Sequence, residues 1–142
     1  MYIKQISIFA ENRTGSMMEI TGALLQAGVN IRALSIADTT DFGIVRLIVD
    51  KTEAAVTALR AHSMTVTETD VIAISVDDTP GGFHAALVAL SDGGVMIEYT
   101  YAFVAPIHGG ATVILRCREP ARAVEILRER GIRLLTQGDV SA

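Results

Sequence analysis

Cysteine is nearly absent from this 142-residue chain; the single one is Cys117. It cannot close an internal disulfide, and its setting, Val113-Ile114-Leu115-Arg116-Cys117, reads as a buried strand. Positive charge is also short. Twelve Lys/Arg against 16 Asp/Glu give a net charge of -4. Residues 1–70 and 71–142 each carry six basic and eight acidic residues, so neither half has the electrostatic footprint of a nucleic-acid binder. No apolar run reaches membrane-spanning length. Met1-Tyr2-Ile3-Lys4 runs directly into folded-looking sequence without a signal peptide. A soluble cytoplasmic protein with no membrane partner is expected.

Catalytic punctuation is missing too. There is no Gly-x-Gly-x-x-Gly or Walker-type loop and no Cys/His/carboxylate cluster. His62, His84 and His108 fall at a helix end, inside a helix and in a hairpin turn, each without a carboxylate or nucleophile at useful spacing. Asp77-Asp78 with His84 is a poor metal site, because adjacent carboxylates on a strand end point to opposite faces. No catalytic residue, metal or cofactor is expected.

What is present is apolar and ordered. Hydrophobic residues make up 50% and charged residues 20%, which argues against disorder and for an apolar interface. The punctuation repeats at an offset of 66. Gly15 meets Gly81, Gly28-Val29 meets Gly94-Val95, Ile31 meets Ile97, Gly43 meets Gly109, Ile48 meets Ile114 and Glu53 meets Glu119. Each copy opens with an alternating strand: Ile6, Ile8, Ala10, then Ile72, Ile74, Val76. A polar loop leads into a helix with apolar residues at helical spacing, Met17, Ile20, Leu24, Leu25 in copy one and Phe83, Leu87, Val88, Leu90 in copy two. Gly28 and Gly94 sit where a left-handed helix cap favours glycine.

A hairpin follows in each copy. Its third strand alternates Val45, Leu47, Val49 in copy one and Val113, Leu115, Cys117 in copy two. The register of the second strand stays open: Tyr99, Tyr101 and Phe103 share a face, but their counterparts are Ala33, Ser35 and Ala37. A second helix runs from Glu53 to His62 with Thr52 as N-cap, and its counterpart from Pro120 to Gly131. Last strands are expected at Thr65–Thr69 and 132–135, and Thr67-Glu68-Thr69-Asp70 is the one candidate linker. The predicted fold is α+β: two tandem ferredoxin-like βαββαβ domains, 1–69 and 70–142, with antiparallel sheets. The sheet face that helices leave bare, or the sheet edges, are expected to be covered by the other copy or another chain, with Tyr99, Tyr101 and Phe103 at the interface between copies.

The chemistry lies in the first loop of each copy, Glu11-Asn12-Arg13-Thr14-Gly15-Ser16 and Asp77-Asp78-Thr79-Pro80-Gly81-Gly82. Each loop enters a helix N-terminus, where unpaired N–H groups and the helix dipole favour an anion. Asn12 or Asp78 could bond a ligand's polar groups, and Asp78 an ammonium. On the residues alone, turn organisation is the commoner role for Asn12 and Asp78.

Glu11-Asn12-Arg13-Thr14-Gly15-Ser16, followed by Gly28-Val29-Asn30-Ile31, resembles the ACT-domain pattern. It is similar to the regulatory domain of bacterial phosphoglycerate dehydrogenases, with E-N-R-P-G in the loop and G-V-N-I opening the second strand. The resemblance implies an amino-acid effector held between paired domains, with Asn12 and Asn30 in contact across a subunit interface. It also implies a ligand set of Asn12, Thr14, Gly15, Ser16, Met17, Asn30 and Ile31 in copy one, and Asp78, Pro80, Gly81, Gly82, Phe83 and Met96 in copy two. Copy one departs from the pattern at Thr14, where the family has proline. Copy two keeps Pro80-Gly81 but has Asp78 and Met96 in place of both asparagines. The implied protein is a non-catalytic regulator, a homodimer, that either signals to a separate protein such as a metabolic enzyme or simply holds its ligand. The competing reading is a ligand-free dimeric adaptor.

Overall fold

The computed structural model describes residues 2–38 and 41–142; Met1, the first residue of the expected 1–69 span, lies outside them. The elements run β1 (Ile3–Glu11), α1 (Ser16–Gln26), β2 (Ile31–Asp38), β3 (Phe42–Val49), α2 (Thr52–Ala61) and β4 (Thr65–Val76). They continue with α3 (Gly82–Asp92), β5 (Ile97–Ala102), β6 (Ala111–Cys117), α4 (Pro120–Glu129), β7 (Arg133–Leu134) and α5 (Gln137–Ser141). Contacts divide the chain into two units. The first comprises Lys4–Thr69 with Ser141–Ala142; the second comprises Asp70–Val140 with residues 2–3. The expected linker does not exist as a loop: Thr67–Asp70 lies inside the unbroken strand β4. Its Thr-rich, alternating sequence is good strand sequence, so nothing there interrupts pairing.

In the first unit the strand order is β2-β3-β1-β4. Ile6 opposes Leu47 and Ile8 opposes Val45 in antiparallel pairing. These residues join Ile20 and Leu24 of α1 and Ala55, Val56 and Leu59 of α2 in one core. The second unit repeats the plan, with β5-β6-β4 and β7 beyond β4. Ile72, Ile74, Val113 and Leu115 there meet Ala86, Leu90, Val124 and Leu127. This is the predicted α+β architecture.

Both first helices end in the same cap. Gly28 and Gly94 have φ of 68° and 73°. Val29 N donates to Leu24 O and Gly28 N to Leu25 O, and Val95 and Gly94 do the same with Leu90 and Ser91. This paired pattern satisfies carbonyls that a helix end leaves open, and the left-handed residue between them carries no Cβ penalty only if it is glycine.

Several expectations need correction. Leu25, assigned to the buried stripe of α1, is 78% exposed; Ala23 is buried instead. Val88 on α3 is likewise exposed, and Ala86 and Ala89 are buried. Thr52 is the first residue of α2 and not its cap. The N-cap is Lys51, which makes no side-chain cap bond, while its ammonium donates to Gly28 O at 3.2 Å. The final strand shrinks to two residues, and the chain turns into α5. Thr136 Oγ1 accepts from Asp139 N at 3.2 Å, and the Asp139 carboxylate accepts from Thr136 N at 2.8 Å. This reciprocal capping box starts a helix there.

The fixed repeat offset also breaks. Ile6 faces Leu47 whereas Ile72 faces Leu115, so the third strands correspond at 68, not 66. The helices that follow, Thr52–Ala61 and Pro120–Glu129, keep the offset of 68. The second hairpin connection is two residues longer. The matches Gly43/Gly109, Ile48/Ile114 and Glu53/Glu119 are therefore coincidences; the true partner of Gly43 is Ala111.

Candidate functional site

The register of β2, left open by the sequence, decides the site. Leu34 opposes Leu47 and Ile36 opposes Val45, so Leu34 and Ile36 lie on the helix-covered face. An irregularity between Ile31 and Ala33 shifts the phase of the strand. In the second unit the same shift puts Tyr99 and Tyr101 opposite Arg116 and Ile114, on the face away from the helices. Among the described residues β2 pairs with β3 alone and stands at the edge of the sheet. Ile36 is 53% exposed as a result.

At the end of β2 the sheet meets the first loop. Asn12 N donates to Asp41 O at 2.8 Å and ties the loop to the hairpin. Gly15 takes φ 91° at the N-cap of α1, a conformation open to glycine, with no side-chain cap bond. Ser16 Oγ donates to Glu11 O at 2.6 Å, holding the helix start against the end of β1. Arg13 is taken up by acids: its guanidinium lies 2.7 Å from Glu19 and 3.3 Å from Glu11. Hydrogen bonding and charge from Glu19, then Glu11, raise its already high pKa. Glu11, Asn12, Arg13, Gly15 and Ser16 border a cleft of about 400 Å³.

Four of the seven sequence-assigned residues of copy one line that cleft: Asn12, Gly15, Ser16 and Met17. Thr14 is exposed in the loop outside it, its carbonyl accepting from Arg13 at 3.4 Å. Asn30 and Ile31 are not brought to it. They begin β2, whereas the cleft sits at the strand's other end, about 25 Å away for an eight-residue strand. Asn30 N donates to Asp50 Oδ1 at 2.9 Å. Asn12 and Asn30 therefore do not meet within one chain.

The cleft also recruits residues that the loop sequence does not reveal: Ala10, Asp38 and Gly43 on its floor, and Ile36, Val45 and Met18 on its wall. Leu34, Ile36 and Asp38 alternate in the sequence, but the phase shift after Ile31 hides which face of the sheet they take.

The second unit is built differently. Gly81 adopts φ 88°, the counterpart of Gly15. Yet a Cβ on Gly82 would stand 2.0 Å from Asp77 O, at the position where Ser16 carries a side chain. Loop two is thus drawn tighter onto its helix. Asp78, Pro80, Gly81 and Gly82 border an open basin of about 890 Å³ with His108, Gly110 and Arg133. Phe83 packs partly buried against the core of that unit. Met96 lies apart, in a shallow cleft of about 450 Å³ with Leu87 and Val95. The assigned residues of copy two do not converge on one pocket. Among the described residues no group of three or more His, Cys, Asp or Glu could hold a metal ion, and no helix is long and apolar enough to cross a membrane.

Comparison with known proteins agrees with this architecture. A solved structure of protein BT0572 from Bacteroides thetaiotaomicron superposes with a TM-score of 0.92 at 38% identity, covering 99% of this chain and 96% of that one. The ligand-free regulatory subunit of aspartate kinase from Thermus thermophilus has a TM-score of 0.62 at 16% identity, covering 89% and 90%, and shares the fold. The corresponding subunit from Thermus flavus has 0.60 at 13% identity over the same shares. No curated protein sequence matches the chain. The family model described as an ACT domain pair matches residues 1–142 from end to end, and the chain belongs to that family.

Proposed function

We propose that this chain is a non-catalytic regulator that binds a free amino acid in the cleft of its first unit, between two copies of the chain. The observation that carries the reading is the cleft itself, where a glycine-started helix, Asn12 and the open end of β2 converge. The helix N-terminus suits the ligand's carboxylate.

The free edge of β2 supports the pairing. Leu34 and Ile36 on the edge and Met18 and Leu25 on α1 are large apolar residues left exposed. Two copies meeting about a two-fold axis with their β2 edges antiparallel would cover them. The same arrangement puts the start of one β2 beside the end of the other. Asn30 of the second copy would then stand near Asn12, as the family pattern implies. An amino acid bridging the two copies stabilises the pair by mass action. It acts on a separate metabolic enzyme only through a difference in affinity between that enzyme's states.

A thermal-shift screen against the twenty amino acids, run beside a mass measurement of the assembly, tests this. Ligand at a hundred times its Kd adds about 2.7 kcal/mol. For a chain of this size that raises Tm by roughly 5–10 °C. Asn12→Ala is expected to weaken the shift more than Met96→Ala. If no amino acid moves Tm at millimolar concentration while a dimer persists, the ligand-free adaptor reading replaces this one.

A further inference from the structure

The floor of the first cleft carries information about which amino acid it takes. Ala10, Gly43 and Asp38 form one row across β1, β3 and β2, and Ile8, Val45 and Ile36 form the next. A Cβ on Gly43 would stand 3.6 Å from Asp38 Oδ1 and 3.9 Å from Ile36 Cγ2. With glycine there, the Asp38 carboxylate lies over bare backbone and lines the cleft. The cleft's other carboxylate, Glu11, is already paired with Arg13 at 3.3 Å. Among the described residues, Asp38 has no ion pair. Asn12, Arg13 and Ser16 lie at the loop end of the cleft, and the side away from the loop is apolar, with Ile36, Val45, Met17 and Met18.

At the equivalent places the second unit has Val76 for Ala10, Ala111 for Gly43, Ala102 for Ile36 and Val104 for Asp38. Its floor is raised by larger side chains, its apolar wall is cut back and its carboxylate at the strand end is gone. The differences fall together on the surface that a ligand would touch.

We infer that the first cleft selects amino acids with aliphatic side chains, Asp38 receiving the ammonium group and Ile36, Val45 and Met17 receiving the side chain. This rests on the reading of the cleft as an amino-acid site. The carboxylate supplies a charge-assisted bond to the ammonium, and Ile36, Val45, Met17 and Met18 give a ligand's side chain no polar partner on that side.

Calorimetric titration of the intact protein tests it with leucine, isoleucine, valine and methionine against serine, aspartate and lysine. A parallel probe is 4-methylpentanoate, which is leucine without its ammonium. The aliphatic group is expected to bind at least tenfold more tightly than the others. Asp38→Asn is expected to weaken leucine about tenfold or more and to leave 4-methylpentanoate within a factor of about two. Ile36→Ser is expected to weaken leucine more than alanine. Preferred binding of serine, aspartate or lysine, or a leucine Kd untouched by Asp38→Asn, overturns the inference and leaves the amino-acid site standing. Absence of binding by every amino acid removes both.

Discussion

A methyl group placed on Gly82 has no space to occupy. Its carbon would stand 2.0 Å from Asp77 O and 3.0 Å from Asp77 C. Ordinary contact lies near 3.5 Å, so the end of β4 or the start of α3 must retreat by about 1.5 Å. The obstacle is backbone, which cannot swing aside as a side chain does. Val76, the neighbouring residue, is held in the sheet opposite Ala111. Overpacking of this kind costs about 1–3 kcal/mol. At roughly 2–4 °C per kcal/mol, Gly82→Ala should lower Tm by about 2–12 °C. The control is Ser16→Ala in the first unit. There the Cβ is already accommodated, and only the Oγ bond to Glu11 O is lost. That loss is worth about 1 kcal/mol and a few degrees. Scanning calorimetry of both variants decides the matter. If Gly82→Ala melts within about 1 °C of the unmodified protein, the claim that loop two is closed onto its helix is wrong.

Burial, with a smaller contribution from Glu98, pushes the Cys117 thiol up to about 11. At pH 8 it should resist a thiol reagent in the native protein and react once denaturant is added; immediate native labelling would contradict its place in the core. The Asp139 pKa is depressed below the ordinary 3.8, first by the Thr136 N–H and then by His108. A depressed carboxylate stabilises the fold above its unfolded value and loses that effect as pH falls through its folded value. The protection of the Val140 amide, whose N–H bonds Thr136 O, measured relative to its intrinsic exchange rate at each pH, should therefore fall in acid below the usual carboxylate range. Asp139→Asn should abolish that pH dependence, and an unchanged profile would count against the capping box.

Much of the fold was legible because the sequence is locally consistent. Gly28 and Gly94 end helices where left-handed caps are needed, and Ile6, Ile8, Val45 and Leu47 alternate as half-buried strands do. The loop half of the candidate site was legible for the same reason, through Asn12, Gly15 and Ser16. The strand half was not. β2 is an edge strand with apolar residues on both faces, and the irregularity after Ile31 reverses its phase. Period-two reasoning fails where the phase slips, so Ile36 and Asp38 went unassigned. The constant offset failed for a related reason. Two added residues in the second hairpin keep every strand intact and move all later matches. Leu25 shows a third limit: helical spacing marks a stripe but not its edge, and the stripe on α1 ends at Leu24.

The unbroken β4 and the exchanged chain ends bear on how such a protein can be inherited. A half ending at Thr69 loses the Ala142 carbonyl to which Arg32 donates at 3.2 Å. A half starting at Asp70 loses Tyr2, which packs on its core. Duplication left a trace in the sequence, but the product is no longer a pair of interchangeable cassettes. A recombination that moved one copy without the other would take from each unit a contact that the other half of the chain supplies.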